Sequence, residues 1–133
     1  MLDGFKSSDS DALGAPVLDA GCLEQLRALD PSGGMAFVNR VLGTYLRSLD
    51  RQLELSAAAR AIGEFETVGR AAHTLKSASA SVGALTLSRY CQEVEQRIRR
   101  QELEGIDIHI DKLFAEVARV RQAVQAMLGA NDA

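Results

Sequence analysis

The sequence predicts an all-α protein, an antiparallel four-helix bundle with an additional short N-terminal helix. Three observations carry this expectation. Apolar residues recur at steps of three and four in every sustained segment, and none alternates with period two. Aromatics make up only 5% of the 133 residues, and the two prolines are Pro16 and Pro31, a composition that suits helices. Glycines and polar clusters cut the chain into stretches of helical length with short connections. Helices with narrow apolar stripes and short connections pack as antiparallel neighbours and leave their outer faces free for a partner.

Residues 1–17 carry Gly, Ser and Asp with no sustained period and read as a disordered lead or linker. The helical bundle is expected over residues 18–129, with 130–133 as a tail. Asp19 suits the N-cap of a first short helix reaching about Leu29, with Leu18, Cys22, Leu26 and Leu29 as its stripe. Asp30-Pro31-Ser32-Gly33-Gly34 is a turn cluster. A long helix follows from about Gly34, with Val38, Val41, Leu42, Tyr45, Leu49 and Leu53 facing inward. Its period blurs into alanines between Leu55 and Ala61, where a kink or break is possible. Gly63 fits the left-handed position that ends a helix. The next helix starts near Glu64, with Glu64 and Glu66 favourably placed at its positive end. Its inward face is Phe65, Val68, Ala72, Leu75, Ser79 and Val82. Gly83 ends it. A fourth helix runs to about Leu103 with Leu87, Cys91, Val94 and Ile98 inward, and Gly105 breaks it. The last helix has the cleanest period, Ile106, Ile110, Leu113, Val117, Val120, Val124 and Met127, and Gly129 is expected to end it.

The length fits one domain with a real core. No apolar run approaches membrane-spanning length, and Met1 to Ser10 contains no signal-peptide core, so a soluble, cytoplasmic protein without membrane insertion is expected. Cys22 and Cys91 lie far apart in apolar helical patterns and read as free core thiols. The formal charge of −3 argues against a general nucleic-acid binder. The local basic cluster of Arg97, Arg99 and Arg100 reads as a solvated helix end. A metal-bundle enzyme is disfavoured by two isolated histidines and no Glu-x-x-His pair, and no metal site is expected. His109 matches no motif and reads as structural or solvated.

The chemistry concentrates at Arg70-Ala71-Ala72-His73-Thr74-Leu75-Lys76-Ser77. His73 lies about 100° round the helix from Ala72, off the apolar face. Its neighbours at three and four residues are Gly69, Arg70, Lys76 and Ser77. Two are small and leave the imidazole open to a visitor; two are cations, which favour an anion held there. The positive neighbours are also expected to work against protonation of the ring, whose neutral form is the nucleophile. The pattern suits acceptance of a phosphoryl group.

His73-x-Leu75-Lys76, followed by Gly83, Leu87, Cys91, Val94 and Glu95 at fixed spacings, resembles the histidine-containing phosphotransfer (HPt) domains of two-component phosphorelays. Gly63-Glu64-Phe65 and Arg70-Ala71-Ala72 also look like that family. The family usually has Gly after the Lys, where this chain has Ser77, a small residue that does not close the site. The resemblance implies a phosphocarrier without its own ATP site: His73 accepts a phosphoryl group from the aspartate of a response-regulator receiver domain and passes it to another receiver, with Lys76 pairing with phosphoryl oxygens. A hybrid sensor kinase is the other implied partner, and a monomer is expected. No cofactor of its own is implied; the receiver is expected to supply Mg2+. Nothing in the chain reads as a P-loop or dinucleotide fingerprint, in agreement. Arg70, Gly69, Ser77, Ala80, Gln92 and Glu95 are the candidate partner-facing residues, with Gln92 and Glu95 either lining the site from the neighbouring helix or simply facing solvent. The alternative function is a docking module that binds receivers or kinases without carrying phosphate.

Overall fold

A computed structural model describes residues 17–32 and 34–132. It contains five helices, α1 (Ala20–Ala28), α2 (Ala36–Ala61), α3 (Phe65–Ser81), α4 (Leu85–Arg99) and α5 (Ile106–Asp132), and no strand among the described residues. Each long helix packs on its chain neighbour, and α5 closes the ring against α2. The all-α bundle expected from periodicity is the architecture present. No helix of the described residues is long and apolar enough to cross a membrane.

The core follows from the stripes. Val38, Leu42 and Leu49 of α2 meet Val68 and Leu75 of α3, Leu87, Cys91 and Val94 of α4, and Ile110, Val117, Val120 and Val124 of α5 in one buried cluster. Burying each such side chain stabilises the fold by about 1.5–3 kcal/mol. One polar tie crosses the core: the hydroxyls of Tyr45 and Ser79 lie 2.8 Å apart and link α2 to α3. Arg121 donates to Asp50 at 2.6 Å and Asn131 to Asn39 at 2.8 Å, which fastens α5 along α2.

Three bundle turns close in one way. The N–H groups of Glu64, Ala84 and Glu102 donate to the carbonyls of Ala59, Ser79 and Arg97, each at 2.8 Å and each five residues back. The residue before each donor has positive φ: Gly63 at 75°, Gly83 at 87° and Gln101 at 58°. This is the Schellman closure, which satisfies carbonyls that a helix end leaves over. Gly83 is constrained twice. Its carbonyl accepts the Asp19 N–H at 2.8 Å, and a Cβ there would lie 2.8 Å from the Asp19 nitrogen and 2.9 Å from its oxygen. The start of α1 is thereby pinned to the end of the α3 helix, with buried Leu18 as its apolar anchor. Asp19 is the expected N-cap, accepting from the Cys22 N–H at 2.9 Å.

Several details differ from the sequence reading. Leu29 does not join the α1 stripe; α1 stops at Ala28, and Leu29, as its C-cap, points outward, 67% exposed. Cys22 is only half-buried, whereas Cys91 is a core thiol. α2 starts at Ala36 and runs unbroken through the alanines, because alanine holds a helix by propensity and Ser56 and Ala59 still face inward. α4 ends at Arg99, four residues before Leu103, because Gln101 takes the left-handed position that a glycine usually marks. α5 continues through Gly129 to Asp132; an exposed helical glycine weakens a helix without ending it. Of the lead expected over 1–17, residues 1–16 lie outside the described residues, and Val17 packs against the core.

Candidate functional site

His73 sits in the middle of α3 on the side turned away from the core. Its ring is 64% exposed while Ala72 and Leu75 beside it are buried. This is the geometry the 100° step predicts. Lys76, one turn further on, and Glu95, on α4 across the groove, complete the immediate site. The pairing of α3 with α4 is close here: the Ser88 hydroxyl of α4 donates to the Lys76 carbonyl at 2.8 Å, and Gly69 lies directly against Ile98.

Glu95 is the centre of the arrangement. Its carboxylate is only 7% exposed. Oε1 accepts from Lys76 Nζ at 2.8 Å. Oε2 accepts from His73 Nδ1 at 2.6 Å and from Arg99 Nη2 at 2.5 Å. Burial alone would raise the Glu95 pKa, but the hydrogen bonds and charges of Lys76 and His73 outweigh it and hold the carboxyl below its ordinary value. An ionised carboxylate only accepts, so the proton of a neutral His73 ring belongs on Nδ1. Nε2 is then left with its lone pair on the exposed ring. A buried acid therefore fixes both the tautomer and the direction of the imidazole, as a carboxylate behind a metal-ligating histidine does.

The charge environment differs from the sequence reading in a specific way. The charge closest to the His73 ring is negative, not positive. Lys76 is paired with Glu95 rather than unengaged. Arg70 points away along its own helix, donating to Glu66 at 3.0 Å and to Thr67 at 3.2 Å. Glu95, which the sequence left between site and solvent, is buried against the His73 ring rather than facing solvent. Gly69 is buried, not an open neighbour of the ring: an added Cβ would meet Ile98 Cγ2 at 3.3 Å, so glycine here sets how closely α3 and α4 approach. Gln92 is exposed in a separate shallow polar hollow with Arg89, Gln96 and Arg97. Ser77 and Ala80 are exposed on α3. His109 is half-buried with Nδ1 3.3 Å from Glu93 Oε2, away from the site. Arg99 is the residue sequence reasoning missed. It follows Glu95 by four residues, a spacing that brings the two together on a helix, and that was the available signal.

A shallow groove of about 1000 Å³ runs from His73 between α3 and α4 towards Gly63 and Leu103. Phe65, Gly69 and Ile98 give it an apolar lining, and Glu95 and Arg99 border it near the imidazole. Among the described residues no three His, Cys, Asp or Glu side chains come together as a metal site. Cys91, one turn before Glu95, is held as an inert thiol: burial first, then the Glu95 charge, pushes its pKa up to about 12.

The geometry has a counterpart in known proteins. A family model described as "Hpt domain" matches residues 40–130. The crystal structure of histidine-containing phosphotransfer protein B (HptB) from Pseudomonas aeruginosa PAO1 superposes with a TM-score of 0.76 at 28% identity, covering 87% of this chain and 97% of that one. The X-ray structure of a rice protein assigned as a histidine-containing phosphotransfer protein has a TM-score of 0.73 at 23% identity, covering 98% of this chain and 92% of that one, a likeness of fold. No curated protein matches the chain.

Proposed function

We propose that this chain, which belongs to the Hpt domain family, accepts its phosphoryl group on Nε2 of His73 with Lys76 and Glu95 as the supporting pair. Family membership makes it a phosphotransfer carrier of a phosphorelay, working with receiver domains. The observation that carries the site-level reading is the 2.6 Å bond between Glu95 Oε2 and Nδ1 of an otherwise exposed histidine.

The step follows from that bond. The Nε2 lone pair attacks the phosphorus of a receiver's aspartyl phosphate. The N–P bond forms as the P–O bond breaks, and the aspartate leaves as a carboxylate. The proton stays on Nδ1, so the ring becomes a cation, and the Glu95 carboxylate already faces it. Lys76 Nζ, 2.8 Å from Glu95 Oε1 in the resting site, turns from Glu95 to the phosphoryl oxygens. Transfer onward is the same path reversed onto a second receiver. Such chemistry depends on positioning and charge neutralisation more than on covalent work by the carrier. The carrier needs no ATP site of its own, and Mg2+ comes with the receiver: both Glu95 oxygens are engaged by three donors and are not offered to a metal. Ser77 and Ala80 lie beneath the docked receiver, a hybrid sensor kinase supplies the phosphate upstream, and the carrier acts as a monomer in the cytoplasm.

The test is radiolabel transfer from a phosphorylated receiver to the parent and to His73→Gln. The parent is expected to take up acid-labile, base-stable label and the variant none, with helical content unchanged. A parent that binds the receiver but takes no label is a docking module instead.

A further inference from the structure

The outer side of α2 carries a second row of residues, separate from its core stripe. Arg40, Arg47, Arg51, Leu55 and Ile62 follow one another at steps of four and seven, so they share one side of the helix and its C-terminal end. All five are exposed. We infer that this row is the docking face for the first sixteen residues of the same chain, an acidic lead laid along α2 from its N-terminal end.

Charge is the first argument. Arg47 donates to the Thr44 hydroxyl at 3.2 Å, and neither it nor Arg51 meets a carboxylate among the described residues. Arg40 stands over the Phe37 ring, 5.8 Å from its centroid, within the field of Asp30. Other exposed arginines are paired: Arg70 with Glu66, Arg97 with Glu93 and Arg121 with Asp50. The last pair takes up the carboxylate next to Arg51, and Glu54 is the acid left on this side of α2. A chain of net charge −3 thus presents one uncompensated basic half-row. The lead carries Asp3, Asp9 and Asp11 against Lys6. The other half of the row is apolar, with Leu55 47% and Ile62 71% exposed. The lead has Phe5 and Leu2 to meet it.

Order and reach agree with charge. Val17 packs against the core, and the bond from the Asp19 N–H to the Gly83 carbonyl fixes the chain at the C-terminal end of α3. In the antiparallel bundle that is the end where α2 begins. Running back from Val17, Asp11 and Asp9 come first, then Phe5, Asp3 and Leu2. From the same end, α2 offers its arginines first, then Leu55 and Ile62. Arg40 to Ile62 spans about 33 Å of helix, and sixteen extended residues reach about 50 Å. A second copy fits less well. Antiparallel α2 helices would set arginines against Leu55 and Ile62, and parallel ones would set arginine against arginine. No residue of α2 lines the His73 groove, so a lead docked here leaves that groove open.

The experiment is NMR on the full chain, comparing the parent with Arg47→Glu/Arg51→Glu, Asp9→Arg/Asp11→Arg and the combination of all four. In the parent, nuclear Overhauser contacts are expected from the Phe5 ring to the Leu55 and Ile62 methyls. Backbone order parameters of residues 9–11 are expected above about 0.6, the level below which a backbone is flexible. Either charge-reversed pair should remove the contacts and drop the order parameters below that level, and the four-fold variant should restore both. Salt at about 1 M, where screening acts within about 3 Å, should weaken the contacts in the parent without any substitution. A parent lead with low order parameters and no contacts to α2 overturns the proposal. Lead signals unchanged by the charge-reversed pairs, or a four-fold variant that recovers nothing, also overturn it. Row amides that instead shift with protein concentration, at a dimer's sedimentation, assign the face to a second copy. Shifts seen only on adding phosphatidylglycerol vesicles assign it to a lipid surface. Each of these results replaces the lead as occupant.

Discussion

Glu95 Oε2 and His73 Nδ1 meet at 2.6 Å, a buried carboxylate of α4 gripping an exposed imidazole of α3. In the proposed function the contact divides labour between two helices: α3 presents the nucleophile to a partner, and α4 decides which nitrogen is free to react. Glu95→Gln separates the two contributions of the carboxylate, because the amide oxygen still accepts the Nδ1 proton but carries no charge to balance the ring cation. We expect the fold to persist and single-turnover labelling by a phospho-receiver to slow about tenfold or more, since one preorganised charge is lost where charge develops. Glu95→Ala should be slower still, with its ring no longer held in one tautomer, a change that long-range 1H–15N correlation of His73 reads directly. Labelling of Glu95→Ala at the parent's rate would remove Glu95 from the site.

Glu95 also gives the fold an acid limb. Burial would raise its pKa, but the hydrogen bonds and charges of Lys76 and His73 hold it below the ordinary value. A carboxyl depressed on folding contributes stability that is fully present above its unfolded pKa, about 4.3 for Glu. That contribution is lost as pH falls through the lower, folded value. The stability difference between the parent and Glu95→Gln should therefore shrink as pH falls from 7 into the acid range. Urea denaturation at stepped pH checks this; an offset constant down to pH 3 contradicts it.

Gly83 joins the lead-in to α1 to the end of α3. A side chain there is strained by φ of +87° and would collide with the backbone of Asp19. Gly83→Ala should cost about 1–3 kcal/mol, the usual range for a residue forced into such a conformation. The loss should fall unevenly. Amides of α1 should exchange faster relative to those of α5, because α1 contributes no fully buried residue and depends on this contact and Leu18. Uniform loosening of the whole bundle would say that the contact is not what holds α1.

The fold was legible because apolar periodicity is dictated by burial, and the stripes from Val38 to Val124 are the core. What the sequence concealed has physical causes. Gln101 ends α4 by taking a left-handed conformation that glycine announces and glutamine does not. The alanines from 57 to 59 hide their inward face because one small side chain looks like another. At the site, His73 and Lys76 were visible from position on one helix. The Glu95 contact depends on the register between α3 and α4, which single-helix spacing does not supply. Gly69 looked like an opening beside His73 and proved to be a packing position, because a small residue permits either use and only the facing Ile98 distinguishes them.

Ser77 tests how the exposed face around His73 is used. It stands one turn beyond the imidazole, exposed, and its carbonyl accepts the Ser81 hydroxyl at 3.0 Å within α3. No core contact depends on its side chain, so substitutions should change the surface and leave the bundle folded, within about 0.5 kcal/mol for an ordinary exposed site. Ser77→Gly is the exception: glycine is a poorer helix former, so stability should fall by a few tenths of a kcal/mol while transfer is kept. Ser77→Leu puts a branched side chain over the approach to Nε2. It should slow transfer and weaken receiver binding together, because both the phosphoryl group and the receiver backbone must enter there. Transfer rates, receiver affinities and melting temperatures of the two variants, measured against the parent, decide the matter. A Ser77→Leu protein that transfers as fast as the parent would move the docking face off this side of α3 and onto the groove towards Gly63.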